Sequence, residues 1–339
     1  MESVQVENAV GMVLGHDITR IIRGQTKERA FKKGHVIQQE DISVLLDLGK
    51  KHIYVWTLET GYLHENEAAQ AIADAAAGPG ILLSEPKEGK IELTAEYAGL
   101  LDINVSLLEA LNSMDQLMFA TIHTRQMVQA GKLLAGTRII PLVIEAEPVE
   151  RAVRLLRDSA PLIQVKVLEH HRVGIVTTGS EIYEGRIQDQ FGPVLRDKFA
   201  ALGSDVVDQL IVPDDPEMIA EAITRLIAAG ADFIATTGGM SVDPDDVTPA
   251  GIRKAGGEIV TYGAPVLPGA MFLLAYKNGI PITGLPGCVM YYAATVFELV
   301  VPRLLAGEAV TRKDFAALGH GGLCLSCNSC RYPDCGFGK

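Results

Sequence analysis

From His171 onward the chain keeps one rhythm: a short apolar run, a polar loop carrying glycine, then a helical stretch closed by glycine. Val173 to Thr177 has the uninterrupted apolar character of a buried strand and is followed by the loop Thr178-Gly179-Ser180-Glu181. Phe191 to Leu202 reads as a helix ended by Gly203, and Asp205 to Val212 as a strand. Asp214-Asp215-Pro216 opens a helix that runs to Ala229 and stops at Gly230, with Asp215 as the candidate cap. Asp232 to Thr236 is the next strand and feeds the loop TGGMSVDPDD; Val247 to Ala255 is helical. Met271 to Tyr276 and Ile280 to Gly284 look like paired strands, and LPGCVMYY opens a last apolar helix reaching Leu305. Strands alternating with helices at this spacing predict an α/β, doubly wound, mostly parallel sheet. Such sheets bind ligands outside the carboxyl ends of their strands, where both glycine loops fall.

The preceding residues have a different texture. Residues 1–168 mix strand-like runs such as VQVENAVGMVL with helices, which predicts an α+β region serving as scaffold or dimerisation element. Glu40 to Leu48 is expected to be helical and Ile53 to Trp56 extended; further helices are expected around His64 to Ala77 and Val105 to Leu111. Alternation returns in QLMFATIHTRQMV and TRIIPLVI. Residues 171–307 form the predicted α/β domain, and 308–339 lose periodicity, reading as a flexible tail with a hinge at His320 to Gly322. A net charge of −12 speaks against a broad nucleic-acid or anionic-membrane surface, because both need Lys and Arg to neutralise phosphates. An anionic ligand must then be held by backbone N–H groups, helix N-termini or a metal ion. With no basic n-region before a long apolar stretch, and no apolar run long enough to span a bilayer, the cytoplasm is the expected location.

Four of the five cysteines lie in the tail as Cys324-x2-Cys327-x2-Cys330-x4-Cys335. In a chain otherwise poor in cysteine this clustering points to a metal site rather than a disulfide framework. Four thiolates so placed suit one tetrahedral zinc ion or one iron–sulfur cluster, and the spacing leaves both open. The glycine loops carry the other candidate chemistry. Thr and Ser hydroxyls with the N–H groups freed at Thr178, Gly179 and Ser180 suit a phosphate, and Glu181 could bind a metal or act in acid–base chemistry. Asp189, just before a helix, could equally be a cap. Gly238, Gly239 and Ser241 form a second such loop, running into Asp243, Asp245 and Asp246. Carboxylates beside a phosphate-type loop suit Mg²⁺, which takes oxygen ligands and bridges to substrate phosphates. A solvated turn with Asp246 capping the next helix is the plainer alternative.

Three stretches, VGIVTTGSEIYEGRIQD, DFIATTGGMSVDPDDVTP and APVLPGAMFLLAYKNGIPITGLPG, together resemble the MoaB/Mog domain. That domain is shared by molybdopterin adenylyltransferases and molybdopterin molybdenumtransferases. The segment AFKKGHVIQQEDISVLLDLGKKHIYVW is similar to a stretch that precedes the domain in the molybdenumtransferases (MoeA-like enzymes), and GTRIIPLVI has a related look. The resemblance implies a pocket for molybdopterin or adenylated molybdopterin, working with Mg²⁺. By matching position, Thr178, Gly179, Ser180, Gly238, Gly239 and Ser241 surround the terminal phosphate. Glu181, Asp189 and Asp246 are then the acidic, catalytic members, and Pro268, Gly269, Gly284, Pro286 and Gly287 the pocket rim with Cys288 beside them; Asp243 and Asp246, from the acidic run itself, are the candidate metal ligands. A Cys288 thiolate at that rim suits molybdenum or sulfur, although a cysteine at a helix start is often just a small buried residue.

The chain also departs from the transferases. It lacks the Met-Asp-Gly-Tyr-Ala motif, reads Pro268-Gly269-Ala270-Met271 where they have Pro-Gly-Lys-Pro, and reads Gly287-Cys288-Val289 where they have Gly-Asn-Pro. Two functions follow as expectations. One is an enzyme of molybdenum-cofactor biosynthesis, with molybdate insertion as its candidate step. The other is a non-catalytic carrier delivering cofactor to a client molybdoenzyme. Either is expected to be a homo-oligomer.

Overall fold

The computed structural model describes residues 2–22, 26–55, 61–159, 161–241 and 243–339. Trp56, expected to end a strand, and Val242, inside the second glycine loop, lie outside the described residues. The chain divides into two compact units: Met1–Tyr97 with Ile103–Ile122 and Ala130–Gln164, and Ala98–Asp102 with His123–Gln129 and Val165–Lys339.

The first unit is α+β. Its four-stranded antiparallel sheet has the order Ile81–Leu83, Lys90–Ala95, Leu133–Ile139, Leu117–Thr121. Lys90–Ala95 alternates exposed and buried residues, as a strand with one face on a core must. Helix Glu65–Ala76 covers that face with Ala69 and Ala73 against Ile91. A separate small core gathers Val6, Leu14, Ile37, Leu45 and Ile53. Helix Asp41–Asp47 and strand His52–Val55 contribute to it close to where the apolar pattern puts them. Helix Ala146–Arg157 was not anticipated, since Glu147, Glu150, Arg151 and Arg154 hide its stripe of Val149, Ala152 and Leu156.

The second unit is the doubly wound α/β domain. Its strands are β1 (Arg172–Thr178), β2 (Asp205–Val212), β3 (Phe233–Thr237), β4 (Glu258–Tyr262), β5 (Leu273–Lys277) and β6 (Ile280–Leu285). They lie in the order β2-β1-β3-β6-β5-β4. The first four in that order are parallel, and β5 pairs antiparallel with β6 on one side and β4 on the other. Helices are α1 (Ser180–Tyr183), α2 (Phe191–Ala201), α3 (Pro216–Ala228), α4 (Thr248–Lys254), α5 (Cys288–Tyr291), α6 (Val296–Leu305) and α7 (Arg312–Ala317).

Residues alternate between two cores along each strand. Val173, Ile175, Phe233 and Ala235 meet Leu195 and Phe199 of α2 and the apolar side of α6. Val176 and Ile234 turn the other way, onto Ile219, Ile223 and Leu226 of α3 and Ile252 of α4. Burying one such side chain stabilises by about 1.5–3 kcal/mol relative to exposure. Asp215 caps α3 as expected, accepting the Met218 N–H at 2.9 Å. Edge strand β4 was not expected from the sequence, its residues showing little apolar contrast.

Residues 308–339, expected to be a flexible tail, carry helix α7, and Phe315 and Phe337 are buried in the same core as α6. Two large aromatic side chains with nowhere else to avoid water bring this segment down onto the domain. No helix among the described residues is long and apolar enough to cross a membrane.

Candidate functional site

β1 and β3 are neighbours, yet the chain leaves β1 for β2 on one side and reaches β3 on the other. The windings on either side of β1 therefore diverge, opening a crevice at the carboxyl ends of β1 and β3. Thr177 pairs with Thr237 in the parallel register, so both glycine loops start at one level. They also touch. A Cβ on Gly238 (φ +84°) would sit 2.1 Å from the Thr178 carbonyl oxygen, and one on Gly239 (φ +54°) 2.7 Å from the Thr248 hydroxyl. Only glycine fits both the left-handed backbone and the space. Behind them the Thr178 and Thr248 hydroxyls pair at 3.1 Å, and Thr248 donates to the Gly238 carbonyl at 2.8 Å.

Beside the second loop, at the carboxyl ends of β3 and β6, lies a cavity of about 290 Å³. Gly238, Gly239, Ser241, Asp246, Pro286 and Gly287 line it, so six of the residues expected from the sequence come together there. Phe191, Met240, Met271 and Leu285 complete the wall, which among the described residues contains a carboxylate and no basic side chain. Gly284 lies just behind, where a Cβ would strike the Met240 thioether. Asp246 is half-buried and accepts the Asp243 N–H at 2.9 Å, whereas Asp243 and Asp245 are exposed. The buried Thr237 hydroxyl, immediately ahead of Gly238, has no hydrogen-bond partner among the described residues.

The remaining expected residues stand off this cavity. Ser180 gives both its N–H (2.8 Å) and its hydroxyl (3.0 Å) to Asp214, so an internal carboxylate holds the first loop. Glu181 is exposed and folds back over Gly179. Asp189 accepts the N–H groups of Phe191 (2.9 Å) and Gly192 (3.0 Å) and the Gln209 amide (2.6 Å). That is the helix-capping alternative read from the sequence. Pro268 and Gly269 pack on the start of α6, where the Val296 N–H donates to the Pro268 carbonyl at 3.2 Å and a Cβ on Gly269 would strike Val296. Cys288 opens α5 half-buried, and burial pushes its thiol up, leaving it protonated near neutrality.

Two contributors escaped the sequence reading. Asp214 looked like a helix start and nothing more. Tyr262, on the unpredicted strand β4, donates its hydroxyl to the Met240 and Ser241 carbonyls, each at 3.0 Å, and so pins the second glycine loop. Burial and then the neighbouring Asp246 carboxylate push that phenol up, keeping it a donor. As for metals, among the described residues no three His, Cys, Asp or Glu side chains gather closely enough to hold an ion.

Comparison with known proteins bears on this unit. Residues 174–306 match the family model described as a probable molybdopterin binding domain. Residues 3–57 match a domain of unknown function. A CinA-like protein of Mycobacterium sp. (strain MCS) is 39% identical over 90 residues, 26% of this chain and 21% of that protein. The molybdopterin molybdenumtransferase of Synechococcus elongatus is 25% identical over 189 residues, 52% of this chain and 44% of the relative. The chain thus spans between a fifth and a half of the lengths of these relatives. Among solved structures, the molybdopterin biosynthesis enzyme MoaB from Thermus thermophilus is 25% identical, covering 41% of this chain and 98% of that one, with a TM-score of 0.33. The molybdopterin biosynthesis MoeA protein from Pyrococcus horikoshii is 15% identical, covering 90% and 74%, with a TM-score of 0.35.

Proposed function

Starting from a chain whose residues 174–306 match the molybdopterin-binding family, we propose that the crevice between β1 and β3 binds molybdopterin or adenylated molybdopterin with Mg²⁺. The protein then takes part in molybdenum-cofactor biosynthesis. The observation that carries this reading is a cavity at the carboxyl ends of the parallel strands whose wall includes Gly238, Gly239 and Gly287, with the first glycine loop packed against Gly238. Phosphate sites on α/β sheets are built this way, since a phosphate can approach N–H groups that a Cβ would shield. The unpartnered Thr237 hydroxyl adds a buried polar group at the same strand end.

Charge decides the role of the metal. A phosphate next to Asp246, with no Lys or Arg among the described residues of the cavity wall, meets repulsion that only a cation can reverse. Mg²⁺ binds through one or two carboxylates plus substrate phosphates, so Asp246 with Asp243 is a sufficient protein share. Asp189 is assigned no direct step, given the N–H groups and the Gln209 amide it already accepts, and Glu181 is assigned none because it stands exposed outside the cavity wall.

A second reading, the non-catalytic carrier, is favoured by the same wall. Met271, beside Ala270, stands where the transferases have a basic and a proline residue, so the site can hold a phosphate through Mg²⁺ yet lacks a fixed positive charge for a developing one. In either case we place the protein in the cytoplasm, as a homo-oligomer acting on a pterin, with a molybdoenzyme as client of the carrier.

The test is anaerobic titration with molybdopterin and with adenylated molybdopterin, with and without Mg²⁺, following AMP release on adding molybdate. Mg²⁺-dependent binding with release makes the protein an insertase, and binding without release makes it a carrier. Asp246→Asn is expected to weaken Mg²⁺-supported binding at least tenfold, a loss of about 1.4 kcal/mol. If neither form binds, the proposal is wrong.

A further inference from the structure

The second unit has another cavity besides the one at the second glycine loop. It has a volume of about 500 Å³, and its wall contains all four tail cysteines, Cys324, Cys327, Cys330 and Cys335. Nothing in the pterin reading uses it. The segment that forms it is built, not loose. The Cys324 N–H donates to the Leu267 carbonyl (2.8 Å), the Leu267 N–H donates to the Gly322 carbonyl (2.8 Å), and the Gly338 N–H closes the segment onto the Gly321 carbonyl (2.9 Å). Inside the loop, Tyr332 donates its hydroxyl to the Glu298 carbonyl of α6 at 3.1 Å, and its ring packs edge-on against the buried Phe337. Ser326, between the first two cysteines, is held at φ +51°, a left-handed turn uncommon for a residue with a side chain.

All four thiols are free. Cys324 and Cys335 are half-buried against the α6 core and Cys327 and Cys330 are exposed, so the ligands come from both the floor and the mouth of the cavity. A single tetrahedral zinc would need sulfurs about 3.8 Å apart, as Zn–S bonds of about 2.3 Å dictate. No three of them converge in that way. All four line one cavity of about 500 Å³. A cubane cluster suits a volume better than a single ion does, because each thiolate takes a different iron at a different corner. Leu323, Tyr291 and Tyr292 contribute apolar surface to the wall, and Arg331 supplies a positive charge against an anionic tetrathiolate cluster.

We propose that this cavity is the site of a 4Fe–4S cluster, with Cys324, Cys327, Cys330 and Cys335 each binding one iron. Loading is a ligand exchange on a preformed cluster. Each cysteine sulfur forms a bond to iron as a small thiolate leaves that iron, and the cysteine proton goes to the departing thiolate. No electron is gained or lost.

The experiment incubates the full chain anaerobically with a synthetic 4Fe–4S cluster ligated by small thiolates, and in parallel with Zn²⁺, followed by gel filtration. The expected result is about four irons and four sulfides per chain, with thiolate-to-iron absorption in the visible and an electron paramagnetic signal on dithionite reduction. Cys327→Ser with Cys330→Ser, both at exposed positions, is expected to lose at least three-quarters of the bound iron with an unchanged circular dichroism spectrum. Competition between cluster and Zn²⁺ on the unaltered chain decides the matter without depending on any variant folding. Displacement of the cluster by one equivalent of Zn²⁺ with tetrathiolate character would overturn the proposal, as would iron retained equally by the double variant or no metal retained at all.

Discussion

At the scale of single residues, the crevice depends most on side chains that are missing. Gly238 and Gly203 both take a left-handed backbone, at φ +84° and +77°. Around Gly203 a Cβ would meet open space, whereas at Gly238 it would press on a backbone carbonyl that cannot swing away. Gly203→Ala is therefore expected to cost about 1–2 kcal/mol from backbone strain alone. Gly238→Ala adds the clash and is expected to cost about 2–4 kcal/mol, read from urea unfolding midpoints. Equal costs would mean that the two loops do not touch as described. The sequence displayed these glycines and pointed to a phosphate between them. It could not display Asp214 holding Ser180, or Tyr262 holding the second loop, because those bonds span 34 and 21–22 positions and have no local pattern.

Among the elements, helix Glu65–Ala76 of the first unit begins with an unusual cap. His64 Nδ1 accepts the Asn66 N–H at 3.2 Å, while Glu67 accepts the His64 N–H at 3.0 Å. That ring must stay neutral to accept. Burial, and after it the charge of Lys33, holds its pKa down from 6.5 to about 4. The unfolded chain therefore takes up this proton before the folded one, and stability declines as pH falls from 6.5 towards 4, with no further loss from this group below that. The check is a histidine-resolved NMR titration together with unfolding midpoints across that range. His64→Asn is expected to keep the cap and flatten the slope. The sequence located this helix within a residue at each end. Strands β1 and β3 were equally legible, since their runs are buried almost throughout. Strand β4 was not, because Glu258, Thr261 and Tyr262 alternate with little apolar contrast and its place is set by pairing with β5.

Across the whole chain, the largest difference between pattern and structure is in the last thirty or so residues. Low periodicity and many glycines predict a tail, yet Phe337 is 4% exposed and joins Phe315, Leu299 and Phe272 in one core. Phe337→Ala is expected to destabilise the second unit by about 3–5 kcal/mol, measured by chemical denaturation, where a true tail residue would change nothing. The doubly wound architecture was readable because it comes from periodicity. The fate of the tail was not, because two aromatic residues carry it.

The bond that closes Gly338 onto Gly321 also has a meaning in polymer terms. It ties a noose before anything is caught in it: the chain has already given up the freedom that a metal would otherwise have to take away. Small zinc modules melt when stripped of their ion, since the ion is what folds them. Here the aromatic anchors do that work in advance, so a chelator should empty the cysteine cavity and leave a folded, reloadable protein behind.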